Sequence, residues 1–261
     1  MGSKEENPPG PPRADTPEAD ANPEPTPVQG PASFVLPPTT LSPPALPTTI
    51  PIFPLPGALL LPRGRLPLTV FEPRYLAMTD EALGAGRLIG MIQPAEPSSG
   101  DRAAGDRAAE ETAPSGAAFH RTGCLGRICG FTEVGPRYHI VLAGVSRFDL
   151  VSTTLGPSGY LTAEVDWSRY ANDRQEDPRS TMDRRALVKQ LKPYFKQHDL
   201  SADWKAVESV SEEELIATLA MACPLSPINK QALLEAPNLA ERTALLVALV
   251  EMSLRDAAVY H

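Results

Sequence analysis

Alternating apolar and polar positions between residues 49 and 70 are typical of β-strands with one buried face. The alternation runs through residues 50–55 and again through residues 66–70, and a turn at residues 62–64 joins the two segments. Both segments contain prolines, which cannot donate to a central strand ladder. We therefore predict two short strands at the edge of a sheet or at the mouth of a barrel.

The next segment has the signals of a helix. Pro73 suits the first helical turn, Glu72 lies at its positive end, and Gly84 and Gly86 supply a stop. The hydrophobic pattern that follows predicts further strands at residues 88–92, 121–133, 137–146, 148–154 and 160–167. Many short strands around one helix indicate a small, partly closed β-barrel.

Helical periodicity replaces the alternation after residue 167. The predicted helices cover residues 179–197, 211–222, 227–235 and 238–257. Ser211 precedes Glu214 with capping-box spacing, and Ser226 precedes Pro227 as a cap followed by a first-turn proline. The last helix is apolar nearly all round, so we expect it at the centre of a small helical bundle. The predicted class is α+β, with a barrel followed by a C-terminal bundle.

The distribution of prolines separates the chain into segments. Fourteen of the 30 prolines precede Thr48, in a stretch with few large apolar residues. Such a stretch cannot offset the entropy lost on ordering it. We predict a disordered Pro-rich tail at 1–47, a barrel domain at 48–168 with a mobile insert at 94–118, and a helical domain at 169–261.

The net charge of −8 belongs to the two predicted flexible segments. The tail carries six acidic and two basic residues (−4), and residues 95–118 carry five and two (−3), which leaves the remaining chain near −1. A body without basic excess argues against nucleic-acid binding. The sequence has neither a secretory signal nor a membrane-spanning apolar run of about 20 residues. Three cysteines without a disulfide framework suit a reducing compartment, so we expect a cytoplasmic protein.

The residue types that carry catalysis or bind metals do not form a recognisable motif. Cys124 and Cys129 face opposite sides of a predicted strand, and His120 lies more than about 10 Å from Cys124 along it, so neither pair suits zinc. The chain lacks GxSxG, HExxH, GxGxxG and GxxxxGK[ST]. We predict no catalytic residue, metal ion or cofactor, although a Ser–Lys dyad between distant residues stays open.

Three segments carry a family resemblance. They read IPIFPLPGALLLPRGRLPLTVFEPRYLAMTDEAL with the following RLIGMIQP, TGCLGRICGFTEVGPRYHIVLAGVSRFDLV, and PLSPINKQALLEAPNLAERTALL. With these motifs the chain resembles the substrate-binding domain of Lon-type ATP-dependent proteases, in order, over residues 49–255. The resemblance implies a PUA-like barrel with one inserted helix and then a helical bundle. Since the chain ends where the ATPase of Lon would begin, we expect no ATPase or peptidase domain.

The resemblance points to the FEPRY corner between the second strand and the helix as a candidate binding site. The candidate substrate contacts are Glu72, Arg74, Leu60 and Leu61, with a helix cap plus a structural ion pair as the alternative role of the two charged residues. The residues expected to be structural are Phe71 and Tyr75 as core anchors, Gly144 at a barrel turn, Arg147 in an ion pair with Glu72, and Gln231, Glu235 and Arg242.

Three functions fit this pattern. The favoured one is a non-catalytic module that recognises unfolded or exposed apolar polypeptides, as an adaptor to a protease or chaperone, and it predicts an uncovered apolar groove beside a free strand edge. The second is a small-molecule or RNA-binding PUA-like module, which predicts a concave basic or aromatic pocket. The third is a hydrolase, which predicts a Ser–Lys or Ser–His contact beside a pocket.

Overall fold

The computed structural model describes residues 34–35, 46–95, 118–175, 183–202, 204 and 209–259. Most of the predicted tail and most of the predicted insert lie outside these residues, so the disorder of the tail and the mobility of the insert stay predictions. Phe34–Val35 belongs to the predicted tail and forms a short strand instead.

Seven strands and five α-helices form the described part of the chain. The strands are β1 (Phe34–Val35), β2 (Thr49–Pro54), β3 (Arg65–Val70), β4 (Leu88–Ile92), β5 (Thr122–Val134), β6 (Arg137–Leu155) and β7 (Leu161–Asp166). The helices are α1 (Pro73–Gly84), α2 (Arg184–Gln197), α3 (Glu212–Ala222), α4 (Pro227–Glu235) and α5 (Leu239–Val259), with a 3-10 helix (Ser168–Arg174) before α2. This mixture confirms the predicted α+β class, but the 3-10 helix was not predicted.

The strand pairings form a closed ring. β5 pairs with β4, β4 with β2, β2 with β7, β7 with β6, and β6 again with β5. The β2–β4 pair is parallel, with α1 and β3 in the connection between them, and the other pairs are antiparallel. Outside the ring, β3 joins β6 and β1 joins β5. Among the described strands, β1 and β3 therefore have one neighbour each.

Of the two positions predicted for the first proline-containing strand, the sheet edge is wrong, because β2 lies between β4 and β7, and the mouth of a barrel stays a prediction. Its antiparallel pairing with β7 runs from Thr49 to Ile52, and its parallel pairing with β4 runs from Ile52 to Pro54. Pro51 therefore has a partner only on the β7 side and Pro54 only on the β4 side. Neither proline has to serve two ladders, which is why a strand with two prolines is tolerated here. β3, with Pro67, does lie at an edge.

A single strand of 19 residues, β6, replaces two predicted runs. Its residues 138–143 pair with β3 and its residues 149–155 with β7, while β5 pairs with residues 137–149. The hydrophobic pattern predicts two strands here, because the charged residue Arg147 interrupts the run of apolar residues. Arg147 is nevertheless buried, with 4% of its surface exposed, so the strand continues through it.

Strands and helices share one of the two hydrophobic clusters. The smaller cluster contains only strand residues, namely Ile50, Ile52, Leu88, Ile92, Leu125, Phe148, Ala163 and Val165. The larger cluster joins strand residues such as Met91 and Leu142 to helix residues such as Ile216 and Leu246. Because this cluster runs across residue 168, strands and helices stabilise each other. The predicted division into two domains at that residue stays a prediction.

The segment 59–64 passes so close to β6 that only glycine fits opposite it. A Cβ atom at Gly144 would overlap the carbonyl oxygen of Leu61. Two backbone hydrogen bonds hold the approach: the Arg63 amide donates to the Gly144 oxygen at 2.9 Å, and the Gly144 amide donates to the Gly64 oxygen at 2.8 Å. Gly144 thus lies within β6 and not at the predicted turn.

The capping residues read from the sequence begin the helices as predicted. Ser211 Oγ accepts a hydrogen bond from the Glu214 amide, and Ser226 Oγ accepts one from the Asn229 amide, both at 3.2 Å. α2 begins after the cap Asp183 instead of at residue 179. Within the described ranges, no helix is at once long enough and apolar enough to cross a membrane.

Replacing Gly144 by Ala is expected to destabilise the protein by roughly 1–3 kcal/mol, the usual cost of overpacking, because the clash is with backbone. Urea unfolding followed by circular dichroism measures the change. Gly84→Ala, at the end of α1, is the matched control: no described neighbour lies within 4 Å of its added Cβ, so stability should stay within roughly 1 kcal/mol of wild type. Equal midpoints for the two variants would contradict the close approach.

Candidate functional site

The charged residues of the FEPRY corner pair with each other at the start of α1. Glu72 holds the N-cap position without a side-chain cap hydrogen bond, and its Oε2 accepts from Arg74 Nε at 3.0 Å and Nη2 at 2.7 Å. The hydrogen bond to Glu72 raises the pKa of Arg74, whose guanidinium lies 4.7 Å from the centre of the Tyr75 ring. The suggested Glu72–Arg147 ion pair is not formed, since Arg147 binds Asp173.

The two aromatic residues of this corner have opposite surroundings. Tyr75 is buried, and its ring centre lies 4.2 Å from that of Phe53. Burial raises the pKa of the Tyr75 hydroxyl. Phe71 is 62% exposed, so its predicted role as a core anchor is wrong. The preceding Val70 is buried at the end of β3, and successive residues of an extended chain face opposite sides, which leaves Phe71 outside.

Leu60 and Leu61, two of the predicted substrate contacts, are fully buried. They belong to the cluster shared by strands and helices. The segment that carries them passes between β6 and α3, as the neighbours of Gly144 and Gly64 indicate. A ligand could reach these side chains only if the core opened, so we correct their assignment from contact residues to core residues.

A buried arginine connects the strands to the helices. Arg147 Nε and Nη2 donate to the two carboxylate oxygens of Asp173 at 2.9 and 2.6 Å, and the Arg147 amide donates to Asp173 Oδ2 at 2.9 Å. Arg147 Nη1 donates to the backbone oxygens of Leu234 and Ala236 at 3.0 and 2.6 Å. The guanidinium also lies 4.4 Å from the centre of the Tyr170 ring. One side chain thereby links β6, the 3-10 helix and the end of α4.

A second buried contact joins α4 to the strands through two glutamines. Gln93 Nε2 donates to Gln231 Oε1 at 3.1 Å, and Gln231 Nε2 donates to the Thr122 oxygen at 3.1 Å and to Glu235 Oε1 at 2.7 Å. On α5, Arg242 donates from Nε to the Leu233 oxygen at 2.9 Å. These contacts place Gln231, Glu235 and Arg242 inside the structure.

The charge of Arg242 is disfavoured by its position. Burial, and then the nearby Arg147 charge, lower the pKa of Arg242 to about 10. Both guanidinium groups donate to the Ala236 oxygen. A single backbone carbonyl at the end of α4, where the helix dipole is negative, therefore serves two cations.

Two of the three cysteines, Cys124 and Cys223, lie buried as free thiols. Burial raises the pKa of the Cys124 thiol, and it raises that of the Cys223 thiol to about 11, so both stay protonated at neutral pH. Cys129 donates to the backbone oxygen of Val141. Among the described residues, no group of three or more His, Cys, Asp or Glu side chains could hold a metal ion.

Two large apolar side chains are exposed at one end of the sheet. Phe71 follows the last residue of β3, and Val134 ends β5 with 47% of its surface exposed. In the strand register, Val134 lies opposite Arg137, and Tyr138 lies opposite Val70. Phe71 and Val134 are thus about two strand spacings apart, roughly 10 Å, with β6 between them. We call Phe71, Glu72, Arg74 and Val134 the corner surface.

A pocket of about 400 Å³ lies beside the 3-10 helix. Its lining includes Leu46, Ser146, Trp167, Ser168, Arg174 and Gln175. The Trp167 indole donates to the Pro47 oxygen at 3.1 Å, and its ring packs edge-on against Phe148. The pocket offers an aromatic ring and an exposed guanidinium.

Family comparison explains why these motifs occur together. Residues 49–251 match the family described as the ATP-dependent protease La (LON) substrate-binding domain. The chain belongs to the Lon substrate-binding domain family. The match spans every described element except β1 and the last turns of α5, and it confirms the family that the sequence motifs resembled.

The similar full-length proteins are much longer than this chain. It is 27% identical over 223 residues to Lon protease 2 of Myxococcus xanthus, covering 82% of the chain and 25% of that protein. It is 26% identical over 218 residues to the Lon protease of Anaeromyxobacter dehalogenans (strain 2CP-C), covering 82% and 24%. This Lon substrate-binding domain thus spans about a quarter of the length of both relatives.

Solved Lon N-terminal domains share the fold. The N-terminal domain of the Mycobacterium avium complex Lon protease superposes with a TM-score of 0.53 at 18% identity, over 78% of this chain and 98% of that one. A Lon N-terminal domain protein from Xanthomonas campestris gives 0.51 at 21% identity, over 77% and 98%. Neither the family match nor these two structures is a catalytic domain.

The Arg147–Asp173 pair is expected to carry far more stability than the exposed pair of the corner surface. Asp173→Asn leaves the Arg147 charge buried without its carboxylate and should cost about 3–5 kcal/mol in urea unfolding. Glu72→Gln is the control, and its exposed pair should contribute under about 1 kcal/mol. A loss for Asp173→Asn no larger than that for Glu72→Gln would show that Arg147 does not hold the helices to the strands.

Proposed function

We propose that this Lon substrate-binding domain is a non-catalytic recognition module for unfolded or exposed apolar segments of polypeptides. The observation that carries the proposal is the exposure of Phe71, a large aromatic side chain at the corner between β3 and α1. Aromatic residues combine large apolar area with few rotatable bonds, and they often dominate binding energies. The membership of the chain in a substrate-binding family supports the same function.

The rest of the corner surface suits a polypeptide ligand. Val134 adds a second exposed apolar side chain, and Glu72 with Arg74 supplies a donor and an acceptor for peptide groups beside Phe71. Since this ion pair is half-exposed, it can exchange partners at little cost in free energy. An apolar centre with a polar rim is the usual anatomy of an interface.

We further propose a setting for this module. Its relatives are Lon proteases, so a domain of this kind in the cytoplasm would deliver bound polypeptides to a protease or a chaperone as an adaptor. The closed ring of strands corresponds, in this proposal, to the PUA-like barrel that the sequence suggested, and α2–α5 correspond to its helical bundle.

A second candidate function rests on the pocket beside the 3-10 helix. Its volume of about 400 Å³ is within the range of small-molecule sites. Trp167 could stack on a planar ligand, and the Arg174 guanidinium could bind an anionic group on it. Quenching of tryptophan fluorescence in wild type but not in Trp167→Phe would identify such a ligand, and Trp204, outside the pocket, supplies the internal reference.

Phe71→Ser is expected to weaken binding of reduced, carboxymethylated α-lactalbumin, a permanently unfolded protein, by at least about fivefold, which corresponds to the 1 kcal/mol expected of an interface anchor. Fluorescence anisotropy of the labelled protein measures the affinity. Because Phe71 is exposed, the unfolding midpoint should not change.

Ile228→Ser is the matched control, since Ile228 is 71% exposed on α4, away from the corner surface. It should leave the affinity unchanged. Equal affinities of Phe71→Ser and wild type would remove the corner surface from the proposal, and an absence of binding by wild type would refute the proposed function itself.

A further inference from the structure

One stretch of β5 has a backbone edge outside the closed ring. The β4 pairing with β5 ends where Leu88 lies opposite Arg127, and the Ile128 amide donates to the Arg87 oxygen at 2.8 Å. Beyond Ile128, β5 continues to Val134 with β6 on one side. On the other side, the described neighbour is β1, with Phe34 opposite Phe131 and Val35 opposite Gly130.

The edge of β3 is protected against strand addition, and this one is not. β3 carries Pro67 and Arg65, and prolines and cations are the usual means of blocking an edge. The sequence of β5 from residue 128 is ICGFTEV, with no proline and no cation. Its β-branched and aromatic residues favour an extended partner.

Apolar side chains flank this edge. The rings of Phe131 and Tyr138 pack with their centres 5.1 Å apart, and Val134 is exposed at the end of the strand. A strand added to an edge directs alternate side chains to the two faces of the sheet. Main-chain hydrogen bonds then provide affinity, and these apolar neighbours favour apolar residues at alternate positions.

The strand that occupies the edge is short. β1 has two residues, and prolines at positions 31, 37 and 38 limit its extension in either direction. It pairs with residues 130 and 131, and Thr132, Glu133 and Val134 lie outside this described register. A polypeptide with a longer proline-free apolar segment could pair along the whole stretch and would gain more hydrogen bonds than β1 does.

We propose that the edge of β5 from Cys129 to Val134 accepts an extended apolar segment of a polypeptide as an added antiparallel strand, and that Phe34–Val35 occupies the same edge as an internal competitor. This inference rests on the proposed function and names the place on the sheet where the main chain of the ligand binds. The corner surface, which includes Val134, continues the same site.

Competition by a tethered strand has a measurable effect. Val35 is 14 residues from Thr49, the first residue of β2, so β1 is tethered to the sheet, and a short tether holds a segment at an effective concentration of about a millimolar. The apparent affinity for an external peptide equals the intrinsic affinity multiplied by the fraction of molecules whose edge is free. Displacing β1 should therefore strengthen external binding.

The test compares full-length wild type with the double variant Phe34→Pro, Val35→Pro, whose prolines remove the donors of β1. Val28→Pro, Gln29→Pro is the matched control, because it adds two prolines to the same N-terminal region outside β1. The two ligands are labelled carboxymethylated α-lactalbumin and a synthetic peptide of residues 31–38. Hydrogen exchange of the residue 129–134 amides, read by mass spectrometry, reports on the edge directly.

The β1 variant should bind both ligands about three- to tenfold more tightly than wild type and the control, as expected when most molecules have an occupied edge. Its residue 129–134 amides should exchange faster, and peptide 31–38 should restore their protection. Unchanged affinity or unchanged exchange would show that β1 does not compete for the ligand and that the ligand does not bind at the edge of β5. Binding of α-lactalbumin by wild type would still support the proposed function in that case. Weaker binding by the β1 variant would equally overturn the inference, since β1 would then be part of the site.

Discussion

The buried charge of Arg147 is the constraint on which the rest of the structure depends. A guanidinium withdrawn from water is costly unless its donors are satisfied, and here its partners come from the 3-10 helix and from the end of α4. β6 cannot keep Arg147 inside unless both of those elements are in place. Arg147 therefore fixes the helices on the strands together with the Gln93–Gln231 contact, and the shared apolar cluster stabilises the arrangement.

The proposed recognition surface includes apolar side chains that the sheet leaves exposed. Phe71 and Val134 lie at strand ends, where the alternation of the sheet turns them outward. Beside them, β5 extends past its pairing with β4, and its described neighbour on that side is the two-residue β1. In the proposed function, the edge of β5 binds varied polypeptides, because its main-chain hydrogen bonds do not depend on the sequence of the ligand.

Periodicity and caps located nearly every ring strand and helix from the sequence, since both signals are local. Pairing is not local: the position of β2 between β4 and β7 depends on partners up to 115 residues away, and its prolines suggested an edge instead. Phe71 was misplaced because aromatic residues are usually core residues, whereas its exposure follows from the burial of Val70. The sequence did not indicate that Asp173 pairs with Arg147, because the two residues are 26 positions apart and Asp173 lies in a segment without clear hydrophobic periodicity. Of the candidate contacts, Glu72 and Arg74 lie at the surface and Leu60 and Leu61 do not.

The central position of β2 also bears on how the chain is made. During synthesis β2 emerges early, but Leu161, which pairs with Ile52, is added 109 residues later. At about 5–20 residues per second, the ring stays open for roughly 5–20 s. Throughout that interval the side of β2 that later pairs with β7 is unpaired, and neighbouring nascent chains could bind it. The finished sheet tolerates Pro51 and Pro54 because each proline lies in one ladder only. Before β7 is synthesised, the same prolines make β2 a poor template for aggregation.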